Sequence, residues 1–202
     1  MAAIGLSGLW LADMAMGPMA QFDSRLYHFQ AIKWARNYPV VPGLANLYGP
    51  LGFNNACFLY GALMQAGPWG VFAHHVTNSS LVYAMLVQCL LAGWKLLNGR
   101  EDSNAFFDFC LLVPVVTLIN KDIAGYTTDL PTTLTLLQAM SVLYCFLTSR
   151  DSSSMVSAYR VVNITVLVTL AVCFKFGSIV YAAGVWALVW ACGYGVRRQR
   201  AL

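Results

Sequence analysis

Charged residues are scarce in this chain of 202 residues, since only 10% of them are Asp, Glu, Lys or Arg while 59% are hydrophobic. Soluble domains carry about 25% charged residues, so the composition favours a polytopic membrane protein. The formal net charge of +4 is scattered, and no basic run with interleaved aromatic residues occurs. This pattern argues against a nucleic-acid partner and favours membrane lipids.

Other chemical signatures are also missing. The six cysteines show no CxxC spacing and five of them lie inside apolar runs, so we interpret them as small buried hydrophobic residues. His74 and His75 have no third ligand nearby in the sequence, and adjacent helical residues point about 100° apart, so we expect no metal site there. The chain lacks a glycine-rich phosphate loop and a nucleophile elbow, which excludes the nucleotide and hydrolase chemistry of those motifs.

Apolar stretches of about 17–25 residues are long enough for transmembrane helices. Candidate spans lie at about 3–20, 76–97, 104–120, 131–149, 158–174 and 176–195. The first is the weakest because a charge such as that of Asp13 costs about 2.5–3.5 kcal/mol at mid-bilayer. Either Asp13 faces protein, or this segment lies partly in the interface. The predicted fold is all-α: one polytopic bundle of about six spans over residues 1–202.

The basic residues indicate the orientation of this bundle. If six spans alternate, seven of the 12 Lys and Arg residues fall on one side, among them Arg100, Arg150 and Arg197. Cytoplasmic loops are enriched in Lys and Arg. We therefore place both termini in the cytoplasm, and residues 21–75 and the loop containing Asp129 outside.

Residues 21–75 form the first outer loop, in which we predict an interfacial amphipathic helix followed by a re-entrant or surface segment. Asp23 or Ser24 is a candidate N-cap, and Pro39 marks the end of the helix. One stripe of this helix, at i, i+4, i+7 and i+11, contains Asp23, Tyr27, Gln30 and Trp34. A membrane anchor is one interpretation, but the loop has more polar side chains than anchoring requires.

Two more charged residues lie on the predicted outer face. Asp129 or Thr127 could cap the helix that begins near Pro131, and Lys175 could extend to the membrane surface. Together with Asp23, however, they would place two carboxylates and one amine on one face of the bilayer. A carboxylate there could act as a general base toward a sugar hydroxyl, and an amine could neutralise a lipid phosphate.

Three motifs in this order carry a resemblance to a known family. They are DSRLYHFQAIKW from Asp23, followed by VPGLANL at 41–47 and GFNN at 52–55; DLP at 129–131; and CFKFGS at 173–178. Together they resemble bacterial multipass membrane glycosyltransferases of the GT-C type. Members are commonly much longer, so the chain is similar to the N-terminal portion of such a protein.

The resemblance implies transfer of a sugar from a polyprenyl-phosphate donor to an envelope glycan or lipid acceptor, at the outer face of the bacterial inner membrane. Asp23 would be the catalytic base, and Asp129 would position the acceptor or share that role. The sugar site would contain Tyr27, His28, Gln30, Trp34, Asn54 and Asn55. The donor phosphate would be bound by Lys175, with Lys121 or Arg25. A divalent metal is compatible with this chemistry but not required by it.

A second class of function stays open. A non-catalytic multipass membrane protein, such as a scaffold, an assembly subunit or a glycan or lipid carrier, would keep the same fold without completing the site. In that case Asp129 would be a helix cap and Lys175 a membrane anchor.

Overall fold

The computed structural model describes residues 2–19, 21–52, 55–100, 102–148 and 154–199, without the side chains of 120–122, 154 and 193–199. Regular structure in these ranges is entirely helical, as predicted, and they contain no strand. The helices are α1 (Ala2–Ala15), α2 (Phe29–Asn37, after a π-helical turn at Ser24–His28), α3 (Leu44–Leu47), α4 (Ala56–Ala66), α5 (Ala73–Leu97), α6 (Ser103–Cys110), α7 (Leu112–Asp122), α8 (Asp129–Thr148), α9 (Ser154–Phe174) and α10 (Ile179–Gln199).

Within the described ranges, three stretches of helix are long and apolar enough to cross a membrane: Gly70–Leu97, Asp129–Thr148 and Met155–Phe174. They coincide with the predicted spans at 76–97, 131–149 and 158–174. The other predicted spans coincide with shorter apolar helices, at Ala2–Ala15, Ser103–Ile119 and Phe176–Cys192. At 1.5 Å per residue these reach about 21–26 Å, less than the roughly 30 Å of a hydrocarbon core.

The predicted first span is too long. Helix α1 ends at Ala15, and the amide of Gly17 donates to the carbonyl of Met14. Pro18 follows directly, and a residue before proline is disfavoured in helical conformation, which explains why the helix does not reach residue 20. Asp13 is exposed. It therefore does not face protein, which favours the alternative that this segment lies partly in the interface.

Helix α1 is antiparallel to α5. The ring of His75 donates from Nδ1 to the carbonyl of Ala15, at 2.7 Å. The hydroxyl of Tyr83 donates to the carbonyl of Ile4, at 3.3 Å. Residues near the end of α1 therefore lie beside the beginning of α5, and earlier residues lie beside its middle.

Helix α8 is antiparallel to α6 and α9. Lys175, just after α9, contacts Asp129 at the beginning of α8. The hydroxyl of Thr148, at the end of α8, donates to the side chain of Asn104 at the beginning of α6, at 3.0 Å. The beginnings of α5 and α8 and the end of α9 thus lie at one end of the bundle, which is where the predicted topology places the outer loops.

Apolar side chains fill the contacts between these helices. One core joins α1, α5, α7 and α8, and a second joins α8, α9 and α10. The first includes Leu11, Val82, Val115 and Leu130, and the second includes Leu143, Ile164, Val168 and Val185. Within a bilayer lipid is as apolar as these side chains, so close packing, more than exclusion of water, stabilises the contacts.

The cysteines follow the predicted pattern only in part. Cys57 and Cys89 are buried, whereas Cys110 and Cys173 are exposed. The interpretation as buried residues is therefore wrong for the latter two. They lie on outward faces of apolar helices, where a small apolar group suits a lipid environment.

Candidate functional site

The helix predicted in the first outer loop is present, but it begins differently. The chain is helical from Phe22 onward. Asp23 has helical backbone angles (φ −63°, ψ −32°), and its side chain makes no capping bond with the described residues. The hydroxyl of Ser24 donates to the carbonyl of Tyr126, 102 positions further along the chain. The predicted capping role is therefore wrong for both residues, because the helix begins before them.

This helix is predicted to run through Tyr38, and its end is confirmed to within one residue, at Asn37. Tyr38 has an extended backbone (φ −135°, ψ 149°), directly before Pro39. Proline disfavours helical conformation in the residue that precedes it, so the helix ends where the sequence predicts.

The buried face of the helix lies beside the predicted stripe and does not coincide with it. Ser24, His28 and Ile32 are spaced by four residues and are all buried. Within the predicted stripe, Tyr27 and Trp34 are half-buried, while Asp23 and Gln30 are exposed. The stripe therefore borders the helix contact and leaves its carboxylate and amide available to solvent or a ligand.

Hydrogen bonds from side chains connect this helix and α5 to the segment 123–128. We call this connection, made by Ser24, His28, Asn78, Gly125 and Tyr126, the Tyr126 junction. The carbonyl of Tyr126 accepts hydrogen bonds from Ser24 Oγ and from His28 Nδ1, the latter at 2.6 Å. Asn78 Nδ2 donates to the carbonyl of Gly125 at 2.5 Å. Both carbonyls are buried in an irregular segment, where side chains supply the donors that a helix would otherwise provide.

Segment 123–128 is unusually enclosed for a connection between helices. Ile123, Ala124, Gly125, Tyr126 and Thr127 are all buried, whereas connecting segments normally lie on the surface. Glycine suits this approach: a Cβ at Gly125 would lie 3.3 Å from the Ser24 hydroxyl oxygen, tighter than most real Cβ contacts.

The side chain of Tyr126 is fixed as firmly as its carbonyl. Gln65, on α4, donates from Nε2 to the phenol oxygen at 3.1 Å. The ring lies in T-shaped contact with Phe29, with centroids 5.0 Å apart. Tyr126 therefore connects α2, α4 and the segment leading to α8.

The charged residues of the site follow this segment. Thr127 Oγ1 accepts a hydrogen bond from the amide of Asp129 at 3.2 Å, so Thr127 caps α8, as one of the two predicted alternatives. The carboxylate of Asp129 instead pairs with the ammonium group of Lys175, and the two side chains are 60% and 55% exposed. The structure thus brings together two of the three charged residues that the sequence predicts to converge.

Asp23 and Asp129 act electrostatically on the same two side chains. Burial raises the pKa of Tyr27, and the charges of Asp23 and Asp129 raise it further. Burial lowers the pKa of His28, while the bond to Tyr126 and the same two carboxylates oppose that change. Since a carbonyl can only accept, the proton of neutral His28 lies on Nδ1. Both carboxylates therefore lie within electrostatic range of one Tyr–His pair.

A groove of about 690 Å³ opens between α2, the segment after it and α4. Ligand pockets usually measure about 300–1,000 Å³. Its lining is mainly apolar and aromatic, and includes Trp34, Tyr38, Val40, Leu44, Phe58 and Leu59. The ring of Phe58 lies 5.3 Å from that of His28, so the groove adjoins the Tyr126 junction.

The predicted site residues divide between these two places. Trp34 and Asn55 line the groove, but the side-chain oxygen of Asn55 already accepts from the amide of Cys57, at 2.8 Å, and caps α4. Arg25 is exposed, like Gln30. Asn54 and the side chain of Lys121 lie outside the described part of the structure.

Sequence reasoning missed the donors of the junction. Ser24 and Asn78 are almost completely buried, although neither is predicted to be part of a site. A signal was present for Asn78, because an amide within an apolar span needs an internal partner. Nothing comparable marks Ser24 or Tyr126, whose contact joins positions far apart in the sequence.

A second polar cluster lies on α8, about 18 Å from Asp129 at 1.5 Å per residue. We call it the Ser141 cluster; it consists of Gln88, Asp108 and Ser141. Gln88 Nε2 donates to Ser141 Oγ at 3.4 Å, and Ser141 Oγ donates to the carboxylate of Asp108 at 2.5 Å. The cluster joins α5, α6 and α8 through side chains alone.

These features define a class of protein: an all-α protein whose described residues include three helices long and apolar enough to cross a membrane, with a polar cluster at one end of the bundle. The chain belongs to the family described as a domain of unknown function, DUF8201, whose family model matches residues 2–196. Comparison with curated proteins and with solved structures gives no match.

Proposed function

We propose that the chain is a membrane glycosyltransferase, or its N-terminal part, which transfers a sugar from a polyprenyl-phosphate donor to an envelope glycan or lipid acceptor. The grouping of Asp23, Asp129 and Lys175 at one end of the bundle carries this proposal. Asp129 and Lys175 form an ion pair, and the charges of Asp23 and Asp129 both act on Tyr27 and His28. Carboxylates and an amine are the groups that base-assisted sugar transfer from a phosphate donor requires.

In the proposed reaction Asp23 accepts the proton of the acceptor hydroxyl as the hydroxyl oxygen attacks the anomeric carbon. The bond from that carbon to the phosphate oxygen breaks, polyprenyl phosphate leaves, and the configuration is inverted. Lys175 is more than half exposed, so its ammonium group can form a charge-assisted hydrogen bond with the departing phosphate. Lys175 also contacts the donor phosphate before the attack, which releases Asp129 from the ion pair to orient the acceptor.

The apolar groove supports a lipid-linked donor. Most of its lining is aliphatic or aromatic, and the side-chain oxygen of Asn55 already accepts a hydrogen bond from the amide of Cys57 in α4. We therefore assign the groove to the first isoprenoid units of the donor. The sugar lies beside Tyr27, since His28 is buried, and Trp34 is in contact with the lipid. Both points revise the predicted sugar contacts.

We further propose that the chain crosses the inner membrane six times, with the site on the outer face. The shorter apolar helices complete the alternation of the three candidate spans, and the basic residues set the direction. Cysteines at the exposed positions 25 and 98, introduced on a cysteine-free background, test this arrangement. A membrane-impermeant maleimide should label position 25 in intact spheroplasts and position 98 only after lysis. Labelling of both positions from one side contradicts the topology.

One observation favours the non-catalytic alternative. Asp129 and Lys175 neutralise each other, and this pair also fixes the beginning of α8 to the turn before α10. A carrier or scaffold would keep the contact for that purpose alone, without any proton transfer.

Reconstituted protein distinguishes the two functions. It is incubated with a panel of radiolabelled polyprenyl-phosphate sugars, and sugar released to water or transferred to added glycan is counted. An enzyme consumes the donor over many turnovers, whereas a carrier binds it in stoichiometric amount without turnover. If the protein neither binds nor consumes any donor, both the enzyme and the carrier are contradicted.

A further inference from the structure

We propose that Ser24 and His28 are positioning residues that set the location of Asp129 through the carbonyl of Tyr126. This inference rests on the proposed function, since it assigns Asp129 to the reacting site. Its structural part concerns the chain alone and is measurable without any substrate.

The geometry is that of a two-point attachment. A carbonyl oxygen has two lone pairs, and the two donors to Tyr126, Ser24 Oγ and His28 Nδ1, lie one helical turn apart on the same helix. One donor would satisfy the buried carbonyl, whereas two donors from one helix also fix its direction. All three residues are buried, so water does not compete effectively for these bonds.

The residues of this attachment are close in sequence to Asp23 and Asp129. Asp23 is the residue before Ser24, and Asp129 follows Tyr126 by three residues. Asn78 fixes the neighbouring carbonyl of Gly125 from α5. The spacing of Asp23 and Asp129 therefore depends on side-chain hydrogen bonds to an irregular segment, and not on helix packing alone.

Variants of His28 separate positioning from folding. Asparagine keeps an N–H group near the position of Nδ1, whereas leucine keeps the apolar bulk and loses the donor. Ser24→Ala removes the other donor. Ser141→Ala is the matched control, because it also removes one hydroxyl hydrogen bond, on α8 itself, but lies in the Ser141 cluster.

The structural test measures a distance between two spin labels. Cysteines at Leu26, which is exposed, and Thr133, which is half-buried, are introduced in a cysteine-free background, and pulsed electron resonance gives the distribution of their separation. We expect a narrow distribution with His28 or His28→Asn and with Ser141→Ala. We expect a broader or displaced distribution with His28→Leu and Ser24→Ala. An unchanged distribution in those two variants overturns the proposal, whatever the function of the protein.

The functional test separates turnover from binding. Misplacement of a reacting group by about 1 Å costs about 100-fold in rate, so kcat of His28→Leu should fall by about 10- to 100-fold with KM nearly unchanged. His28→Asn should restore most of that loss, and Ser141→Ala should turn over normally. Loss of kcat with an unchanged label distance, or no rescue by asparagine, overturns positioning. Absence of turnover in the unmodified protein would contradict the proposed function, and the label distances would still decide this inference.

Discussion

The Tyr126 junction and the Ser141 cluster differ in what their hydrogen bonds connect. In the Tyr126 junction, Ser24, His28 and Asn78 donate to backbone carbonyls of an irregular, buried segment. In the Ser141 cluster, side chains bond to side chains between regular helices whose backbone bonds are already made. The first cluster fixes the path of the chain, whereas the second only joins helices that would pack in any case.

A regular span and an irregular segment differ in how their backbone groups are satisfied. A regular span satisfies its own backbone, so polar contacts between spans add about 0.6 kcal/mol on average. An irregular segment at the bundle end has free carbonyls and amides, and the side chains that satisfy them also orient neighbouring charged groups. Here Asp129 lies immediately beyond such a segment and pairs with Lys175.

The largest difference in stability is expected between Asn78→Leu and Gln88→Leu. Loss of Asn78 leaves the buried carbonyl of Gly125 without its donor, which costs about 1–3 kcal/mol. Gln88 makes a long bond of 3.4 Å to a hydroxyl, so its loss should cost less than about 1 kcal/mol. Thermal unfolding of both variants in the same detergent measures the difference. Equal losses of stability in the two variants would contradict the difference between the two clusters.

Stability is expected to depend on pH through His28, which belongs to the Tyr126 junction. Burial lowers its pKa from the ordinary value of 6.5, so the unfolded chain binds more protons between the folded pKa and 6.5. Stability should therefore fall as the pH decreases below about 6.5 and stop falling below the folded pKa, while the charges of Asp23 and Asp129 limit the effect.

The same pH series with His28→Asn provides the control, since asparagine keeps a donor but does not titrate. Its melting temperature should lack this component of the pH dependence. A His28→Asn profile that overlays the unmodified protein between pH 5 and pH 7, as a practical window about the 6.5 value, would contradict the assignment.

The smallest effect is expected for Lys175→Gln. Its ion pair with Asp129 is more than half exposed on both sides, and exposed pairs contribute about 0–1 kcal/mol. The melting temperature should change little, and the small difference should disappear at about 1 M salt, where the screening length is about 3 Å. A large, salt-resistant loss would show that the pair is a principal structural contact, as the non-catalytic alternative requires.

Much of the fold follows from hydrophobic runs alone. Three predicted spans coincide with long apolar helices because such a run needs no partner to become helical in a bilayer. Helix α1 is shorter than predicted, since Pro18 outweighs the hydrophobicity that continues around it. The end of α2 before Pro39 is predictable for the same local reason.

The site is predictable only where charge marks it. Asp129 and Lys175 stand out in apolar surroundings, and their pairing follows once the helices alternate. The contact of Ser24 and His28 with Tyr126 spans about a hundred positions and uses a backbone carbonyl, which has no sequence signature. The capping prediction for Asp23 failed because the helix already begins at Phe22, before the position where a cap would stand.

The central claim is that Asp23 is the base of a sugar transfer, and Asp23→Asn tests it most directly. The side chain is exposed and makes no capping bond with the described residues, so the variant should insert and melt like the unmodified protein. A general base contributes about 10²–10⁴-fold to a rate. Transfer from a polyprenyl-phosphate sugar should therefore fall by about that factor, while Asp13→Asn, an exposed aspartate on α1, should leave it unchanged. Undiminished turnover by Asp23→Asn would contradict the account.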